Sequence, residues 1–506
     1  MTHDRPTDDH TFEVASDGAL ALFAGVAALA GSYAAVGFTP EWVAAPVSAF
    51  VVATTPDAVV AWSIQTLGDL GHQLSLLLAL ALTVSLFAVA AGLGTLLANK
   101  FSLPSPPFAG LACVAVAVAL TGAVTSALAA GVGAALVLTV GQLSAGSGDS
   151  SSSSARRRVL GAVAGTLAFG GVSAVLGAQQ GSTSQPSSAL DGPNSDPSGT
   201  QGDESSEVES LLADADSKSL SVDGLEPLVS EKFYQVDISN VDPSLEADSW
   251  SLKVTGAVEE EMEFDYEDLT SLPAENRFVT LRCVGDSLNG KKMDNALWTG
   301  VPVMDLLDEA GGLPDECCVM LRAADDYFEE FPLSALRNGF LAYGMNGDPL
   351  PRGHGHPVRA LIPGHWGEIN VKWLTEIEVL EKEQNGYWER RGWHGTGPVE
   401  TVAKLYATNV RDDGTIQVGG QAYAGTRGIE RVEVSTDGGN SWSDATLSEK
   451  LPGEDVWRQW EYTYEASDPH EVVVRATDGT GTLQPKEKRK SFPSGPTGWV
   501  SKRIEP

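Results

Sequence analysis

The stretch Thr280-Leu-Arg-Cys-Val-Gly285 decides how the middle of this chain is interpreted. It follows a run of alternating apolar residues, so we expect Cys283 at the end of a β-strand or in the loop after it. A thiolate next to Arg282 and near Lys291 and Lys292 would have a lowered pKa. Taken alone, a cysteine in a strand is more often a small buried hydrophobe, and both interpretations stay open at this point.

A second polar cluster lies further along the chain, from His354 through Arg359 and His365 to Lys372. Histidine, arginine and lysine among Gly and Pro turns suit an anionic ligand that is held by charge-assisted hydrogen bonds. The alternative is a solvated loop, which is less natural for a basic cluster in so acidic a chain.

The charge balance argues against several partners. The 506 residues include 67 acidic and 33 basic side chains, which gives a formal net charge of −34. Nucleic acid needs clustered Lys and Arg, so we do not expect it as a partner, nor an anionic lipid surface. The acidity is spread through the folded-looking part, as in proteins of salt-loving archaea; an ordinary acidic protein is the alternative.

The four cysteines are too few for a disulfide scaffold. Cys113 lies in an apolar run and is predicted to be a buried hydrophobe. Cys317 and Cys318 are adjacent, which is a poor geometry for a bridge between them. The sequence has no phosphate-binding loop, dinucleotide fingerprint, serine elbow, zinc pair or haem-attachment motif. His72, near the start of the second apolar span, is the only histidine in that region, so no haem with two histidine ligands is expected.

Residues 1–178 are predicted to be a transmembrane region of about five helices. The apolar stretches of spanning length are residues 19–38, 74–98, 108–143 and 159–178. The third stretch is long enough for two short helices with a tight turn. Residues 42–64 are apolar but are interrupted by Pro46, Pro56 and Asp57, which favours an interfacial or re-entrant segment.

Positive charges orient these spans. Lys100 follows the second span and Arg156-Arg-Arg158 precedes the fifth. This places the N-terminus in the cytoplasm and the large C-terminal part outside the cell membrane. The run Arg156-Arg-Arg-Val-Leu160 before an apolar helix also resembles a twin-arginine export signal, and simple cytoplasmic anchoring is the alternative.

After the apolar region the composition defines a linker, two domains and a tail. Residues 179–228 are rich in Ser, Gly, Asp, Glu and Pro and are predicted to be a disordered acidic linker. Residues 229–395 mix strands with short helices, as an α+β domain does. Residues 396–492 have only strand-like runs, as in a small immunoglobulin-like sandwich, and residues 493–506 are a tail. The predicted elements are strands at 250–256, 416–423, 429–435, 457–464 and 472–477, helices at 266–272 and 303–310, and a hairpin turn at 437–440.

From about residue 233 to residue 485 the chain resembles the sulfite oxidase family of molybdopterin oxidoreductases, in its catalytic and dimerisation domains together. With the apolar region in front, it is similar to a membrane-anchored subgroup found in actinobacteria and haloarchaea. The matching segments are Thr280-Leu-Arg-Cys-Val-Gly285, Trp298-Thr-Gly-Val-Pro-Val-Met-Asp-Leu-Leu307, Leu341-Ala-Tyr-Gly-Met-Asn-Gly-Asp-Pro-Leu-Pro-Arg-Gly-His-Gly-His-Pro-Val-Arg359, Asn370-Val-Lys-Trp-Leu374, Glu433-Val-Ser-Thr-Asp-Gly-Gly-Asn-Ser-Trp442 and Val474-Arg-Ala-Thr-Asp-Gly-Thr-Gly-Thr-Leu-Gln-Pro485.

The resemblance implies a molybdenum–molybdopterin cofactor and a role for each matching residue. Cys283 would ligate the molybdenum at the catalytic centre. Tyr327 falls near the family's active-site tyrosine, and Arg427 near an arginine that approaches the substrate anion from the last domain. The residues implied in cofactor binding are Asp325, His354, Arg359, Asn370, Val371 and Lys372.

The implied reaction is a two-electron oxygen-atom transfer on a small oxyanion, as in sulfite oxidase. Two departures keep the reduction of a sulfoxide-type substrate on the same cofactor as an alternative. Residues 233–238 lack the family's arginine, and Asp286 and Ser287 stand where arginines follow the cysteine.

The implied partners follow from the same resemblance. No haem domain is fused, so electrons would pass to a separate carrier or a membrane redox partner. Membrane lipid and a homodimer through the last domain are also implied. The rival hypothesis is a non-catalytic binding module displayed on the membrane, but such a module has no need of both the cysteine and the basic cluster.

Overall fold

A computed structural model describes residues 7–67, 69–144, 151–183, 201–308 and 317–506. The chain forms two compact units. One comprises Met1–Ser187 and Asp237–Ser244, and the other comprises Ser188–Val236 and Leu245–Pro506.

The first unit is built of apolar helices. They are α1 (Thr7–Val36), α2 (Ala44–Thr54), α3 (Asp57–Leu67), α4 (Asp69–Lys100), α5 (Ser105–Thr121), α6 (Val124–Leu143) and α7 (Ser151–Thr183). Four segments of the described residues are long and apolar enough to cross a membrane. These are Ser16–Val36, Leu70–Lys100, Val124–Leu143 and Arg157–Gln179.

Small residues let these helices approach closely. A Cβ on Gly133 of α6 would lie 2.4 Å from the carbonyl oxygen of Ala27 in α1. A larger side chain there would push the two helices apart, so the contact requires glycine. Large apolar side chains such as Leu77 and Leu96 of α4 point outward instead and are exposed.

The long apolar run at residues 108–143 forms two helices, as predicted. α5 ends at Thr121, Gly122 adopts a left-handed φ of 68°, and α6 begins at Val124. With 17 residues α5 is shorter than the four spanning segments, so the count of five spans stays a prediction. Residues 42–64 form the two short helices α2 and α3.

The segment Asp237–Ser244 packs with the helices of the first unit, although it lies far from them in sequence. The Asn240 side-chain amide donates a hydrogen bond of 2.8 Å to the hydroxyl of Ser48 in α2. Val241 is buried in the same apolar cluster as Trp42 and Val43. One polar and one apolar contact therefore tie this segment to the start of α2.

The prediction of a disordered linker over residues 179–228 is wrong for part of that range. A regular helix, α8 (Gln201–Lys218), lies within it, and Lys218 pairs with Asp214 at 2.6 Å, one turn earlier. Glu, Leu and Ala are strong helix formers, so an acidic composition can hide a helix. Residues 184–200 of the predicted linker lie outside the described part of the chain.

The second unit begins with an α+β domain. Its strands are β1 (Ser251–Gly256), β2 (Met262–Asp265), β3 (Glu275–Arg282), β4 (Met293–Pro302), β5 (Cys318–Ala323), β6 (Phe328–Pro332), β7 (Phe340–Met345), β8 (Asp348–Pro349), β9 (Arg359–Leu361) and β10 (Leu374–Leu380), and its helices are α9 (Tyr266–Ser271), α10 (Val303–Leu307) and α11 (Leu333–Leu336). One sheet has the order β2-β1-β10-β5-β6, with β1 parallel to β10. The other has the order β3-β4-β7-β8, with β9 paired to β7.

The predicted elements of this domain are found. β1 and α9 lie at the expected positions, and Asp265 caps α9 by accepting a bond of 2.9 Å from the Asp268 amide. α10 corresponds to the first part of the helix predicted at residues 303–310, and residues 309–316 lie outside the described part of the chain.

The chain ends in an all-β domain, as predicted. Its strands are β11 (Val402–Ala403), β12 (Ala407–Val410), β13 (Thr415–Tyr423), β14 (Ile429–Ser435), β15 (Ser443–Asp444), β16 (Thr446–Leu447), β17 (Arg458–Glu465), β18 (His470–Asp478) and β19 (Val500–Ile504). One sheet has the order β11-β13-β17-β16, with β12 on β13, and the other has the order β15-β14-β18-β19. Buried side chains from both sheets, such as Trp460 and Val474, form a shared core.

The prediction that residues 493–506 are a tail is wrong. β19 pairs with β18 and completes the second sheet, and its terminal residues Val500 and Ile504 are buried. The strand is short and carries Lys502 and Arg503, so its alternation is weak in the sequence.

The expectation that Cys317 and Cys318 do not bridge is also wrong, because the two form a disulfide. The backbone of Cys317 adopts a φ of 92° directly before β5. Such a turn brings together two neighbouring side chains that an extended strand would point to opposite faces.

Candidate functional site

Cys283 directly follows β3, as predicted. Its amide donates a bond of 3.0 Å to the Lys292 carbonyl, which holds the loop after the strand. All residues from 278 to 284 are buried except Cys283, which is half-buried. The thiol therefore lies on a firmly packed strand end and keeps access to the space beside it.

The predicted lowering of the Cys283 pKa is wrong for the protein alone. Burial raises the pKa of the thiol, Lys292 opposes this, and the charges of Asp286 and Glu368 raise it further. The Arg282 side chain turns away, because it donates a 2.8 Å bond to the Glu400 carbonyl and lies over Trp366. A bound metal cation would itself supply the positive charge that a thiolate needs.

Asp286 is held in a buried ion pair. Its carboxylate accepts a 2.9 Å bond from Lys404 of the C-terminal domain, and both side chains are almost fully buried. The same carboxylate accepts the amides of Ser287 and Lys292, and Lys404 also donates to the Gly290 carbonyl. This position therefore shapes the loop after Cys283, and it carries a carboxylate where the family resemblance implies an arginine.

The second predicted cluster is assembled around a tight turn. Arg359 donates to the carbonyl of His354 at 3.1 Å, and Lys372 donates to that of Gly353 at 2.9 Å. At Gly355 the backbone has a φ of 111°, and a Cβ there would lie 3.0 Å from Cβ atoms of both Arg359 and Lys372. The turn thus requires glycine, and it brings three basic side chains together.

These basic groups fit an anionic ligand. Burial, together with the charges of Arg359 and Lys372, lowers the pKa of His354 to about 3. His354 is therefore a neutral hydrogen-bonding group beside two fixed positive charges. A pterin that carries a phosphate matches this set, because phosphate takes charge-assisted bonds from Arg and Lys.

The other residues expected to bind the cofactor shape the same loops. Asn370 accepts from the Ile362 amide at 2.7 Å and donates to the Trp366 carbonyl at 2.9 Å, so its side chain holds the loop in place. Val371 is buried. Asp325 accepts a 3.2 Å bond from the Tyr327 amide in the turn between β5 and β6. Contact of Asp325, Asn370 and Val371 with a cofactor stays a prediction.

Tyr327 lies in the same region as the cysteine, and Glu368 lies between them in the contacts that follow. The tyrosine hydroxyl shares its single proton between the Glu368 carbonyl oxygen at 2.8 Å and a Glu329 carboxylate oxygen at 3.1 Å. A Cβ on Gly395 would lie 1.8 Å from a Glu368 carboxylate oxygen and 3.0 Å from the side chain of Val284, next to Cys283. The predicted tyrosine and cysteine thus belong to one region.

Arg427 is engaged elsewhere. Its Nε donates to Asp478 at 2.9 Å, and an Nη atom donates to the Val399 carbonyl at the same distance. Its neighbour Thr426 packs against Gly364, which lies within the polar cluster from His354 to Lys372. The structure brings the Arg427 loop to the site but commits the guanidinium to Asp478, so its role toward a substrate stays a prediction.

Tyr234 was missed as a site residue. Burial raises its pKa well above the usual range, and the Cys283 charge is the next largest cause. A Cβ on Gly367 would lie 2.8 Å from the Tyr234 hydroxyl and 3.3 Å from the Arg282 carbonyl oxygen. From the sequence, residues 233–238 were considered only because they lack the family's arginine. In the structure this segment supplies the Tyr234 hydroxyl near the thiol.

Asp455 gives the packing of the last domain on β3 a pH dependence. Burial raises the pKa of Asp455 from 3.8 to about 7, although Tyr423 donates a 2.6 Å bond to its carboxylate. Because the pKa is higher in the folded state, the contribution of Asp455 to the free energy of unfolding is full below about pH 4 and is lost as the pH rises through about 7.

The denaturant midpoint should therefore decline as the pH rises, and we expect Asp455→Asn to flatten this decline. Asp294, with its pKa raised to about 6, changes the stability in the same direction, so a smaller decline with pH should remain in the variant. An unchanged slope in the variant would contradict the assignment.

Two family models match the chain. The model described as oxidoreductase molybdopterin binding domain matches residues 239–388, and the Mo-co oxidoreductase dimerisation domain matches residues 399–494.

Several characterised proteins are similar to the chain. Sulfite oxidase of Arabidopsis thaliana is 28% identical over 47% of this chain and 77% of its own length. Mitochondrial sulfite oxidase of Rattus norvegicus is 31% identical over 48% of this chain and 54% of its own length, so the match spans about half of that relative. Among solved structures, the sulfane dehydrogenase SoxCD from Paracoccus pantotrophus is similar with a TM-score of 0.47 and 20% identity, over 53% of this chain and 78% of that one.

The family models, the sulfite oxidase relatives and the cysteine and basic cluster agree on a molybdopterin cofactor. The chain belongs to the sulfite oxidase family of molybdopterin-dependent oxidoreductases.

Proposed function

We propose that this protein is a membrane-anchored oxidoreductase that transfers an oxygen atom to or from a small substrate. The observation that carries the proposal is the half-buried Cys283 at the end of β3, close enough to Glu368, the hydrogen-bond partner of Tyr327, for the Glu368 charge to act on the thiol. The basic cluster of His354, Arg359 and Lys372 supports it, because it suits the phosphate end of the pterin.

The residues have distinct tasks in this proposal. Cys283 holds the molybdenum, and Arg359 and Lys372 hold the anionic part of the pterin with His354 as a neutral partner. Asp325, Asn370 and Val371 keep the surrounding loops in place. When bound, the cofactor supplies two-electron chemistry coupled to oxygen-atom transfer, and the protein supplies binding, orientation and electrostatics.

Oxidation of a small oxyanion, as by the sulfite oxidases in the comparison, is the first candidate reaction. Reduction of a neutral sulfoxide-type oxide is the second, and two observations favour it. Asp286 stands after the cysteine and pairs with Lys404, and Arg427 is bound to Asp478. Neither of these positions offers a free positive charge to an anion.

An assay on the full-length protein in detergent distinguishes the two reactions. Sulfite with an artificial electron acceptor tests oxidation, and a sulfoxide with a reduced dye tests reduction. We expect Tyr327→Phe to lower kcat/KM by about 10²-fold, as loss of a donor aimed at developing charge does. Tyr462→Phe, on the C-terminal strand β17, is the control and should keep full activity. Molybdenum-loaded protein that turns over neither class would contradict the proposal.

We also propose that the spanning helices of the first unit anchor the catalytic part at the outer face of the cell membrane. The four apolar segments support the anchoring. The positions of Lys100 and of Arg156 to Arg158 support a cytoplasmic N-terminus, and the latter also suit twin-arginine export. Electrons would then pass to a separate carrier or a membrane redox partner.

The C-terminal domain is the proposed dimer interface. The match to the Mo-co oxidoreductase dimerisation domain supports a homodimer. Two antiparallel sheets around a shared core suit an immunoglobulin-like sandwich.

A further inference from the structure

Three carboxylates that the reaction does not use lie together beside Tyr327. Glu329, Glu368 and Glu389 each offer an oxygen, and these oxygens all lie within 4.8 Å of one another. Glu329 and Glu368 are buried, at 0% and 8% exposure. Their closeness is unusual for a protein interior, because like charges repel strongly away from water.

Within the described part of the chain, hydrogen bonds reach Glu329 of this carboxylate cluster but no cationic side chain pairs with it. None of the three glutamates forms an ion pair there. Neither carboxylate oxygen of Glu368 has a hydrogen-bond partner among the described residues. A buried carboxylate without a partner is costly, so the arrangement needs a positive charge or protons.

The surrounding chain is shaped to admit the carboxylates. A Cβ on Gly386 would lie 1.4 Å from a Glu329 oxygen and 2.7 Å from a Glu389 oxygen. A Cβ on Gly395 would lie 1.8 Å from a Glu368 oxygen. Two glycines therefore leave room for three converging acids, at positions where any side chain would displace them.

We propose that Glu329, Glu368 and Glu389 bind a divalent metal cation next to Tyr327. Carboxylate oxygens are hard ligands, so the expected ions are Mg²⁺, Mn²⁺ or Ca²⁺. The site is distinct from the one at Cys283, and it does not depend on the proposed reaction. Burial and mutual repulsion raise the pKa values of Glu329 and Glu368 well above the usual range, and a cation would replace the protons that this favours.

The bound ion would also position the tyrosine. The Tyr327 hydroxyl donates to Glu329 and to the Glu368 carbonyl, so two of the three ligands fix its ring. Trp388 donates its amide to the same Glu329 oxygen, which ties Glu329 to the segment that carries Glu389.

Equilibrium dialysis with Mn²⁺ tests the site on the full-length protein in detergent, after treatment with a chelator. Salt at about 1 M shortens the screening length to about 3 Å, which suppresses diffuse binding to this acidic chain. The wild type should retain about one Mn²⁺ per chain, and Glu368→Gln/Glu389→Gln should bind at least about 100-fold more weakly, since affinity depends on the ligand charges. Glu259→Gln/Glu260→Gln removes two exposed glutamates and is the matched control, which should bind like the wild type.

Infrared spectra and molybdenum analysis of the same samples make the result decisive. Wild-type protein should show a carboxylic acid C=O band after chelation that Mn²⁺ removes, and the molybdenum content should stay the same. The proposal would be overturned if the wild type bound no more Mn²⁺ than the double variant and kept the C=O band both after chelation and with Mn²⁺. The carboxylates would then share protons instead of binding a metal. Because molybdenum is counted separately, this outcome leaves the proposed reaction untouched.

Discussion

Cys283→Ser should abolish oxygen-atom transfer while leaving the protein folded. The thiol is the one group at the end of β3 that is placed to ligate the metal, and a serine hydroxyl is a poor ligand for a soft, thiolate-binding centre. Loss of an outer-shell partner of a metal site costs about 10–100-fold, so loss of the ligand itself should cost at least about 100-fold in kcat. Steady-state turnover of the substrate that the wild type accepts measures this loss.

The other free cysteine provides the control. Cys113 is buried in α5 of the first unit, so Cys113→Ser makes the same chemical change in a residue that is not part of the candidate site. This variant should keep wild-type kcat. Pterin content, measured on both variants, separates a lost ligand from a lost cofactor. Full activity in Cys283→Ser would remove the cysteine from the mechanism.

Lys404→Met should lower the free energy of unfolding of the second unit by about 3–5 kcal/mol, because it leaves the buried Asp286 without its partner. Lys404 is fully buried, and burial lowers its pKa to about 8. Water therefore cannot replace Lys404 as the partner of the Asp286 charge. Guanidinium denaturation, followed by tryptophan fluorescence in detergent, measures the change.

Two further variants sharpen this prediction. Lys404→Met/Asp286→Asn removes both charges and should recover most of the lost stability. Lys218→Met breaks the partly exposed pair with Asp214 and should cost less than about 1 kcal/mol. A loss in Lys404→Met no larger than in Lys218→Met would contradict the role of the buried pair.

The parts of the fold with clear alternation or apolar length could be predicted from the sequence. β14 occupies Ile429–Ser435 as expected, and Cys283 directly follows the strand that was predicted before it. α8 was missed because composition averages over residues, whereas helix formation depends on Glu, Leu and Ala within it. β19 was missed because its pairing partner lies in β18, and pairing is not a local property.

The candidate site was predictable where the chemistry resides in a local motif. His354, Arg359 and Lys372 come together through one glycine turn, so their neighbourhood was foreseen. The cluster of Glu329, Glu368 and Glu389 was not foreseen, because it forms through the packing of three separate segments. The hydrogen bond of the buried Arg282 likewise depends on the Glu400 carbonyl, more than a hundred residues away, and the burial that raises the thiol pKa depends on tertiary packing.

Metal and pterin analysis of the full-length protein, purified from its own membranes in high salt, tests the central claim most directly. The account predicts about one molybdenum and one pterin per chain, because the family's cofactor binds as a single unit. Folded native protein that contains neither would contradict it, and Cys283 would then be a structural thiol in a non-catalytic protein.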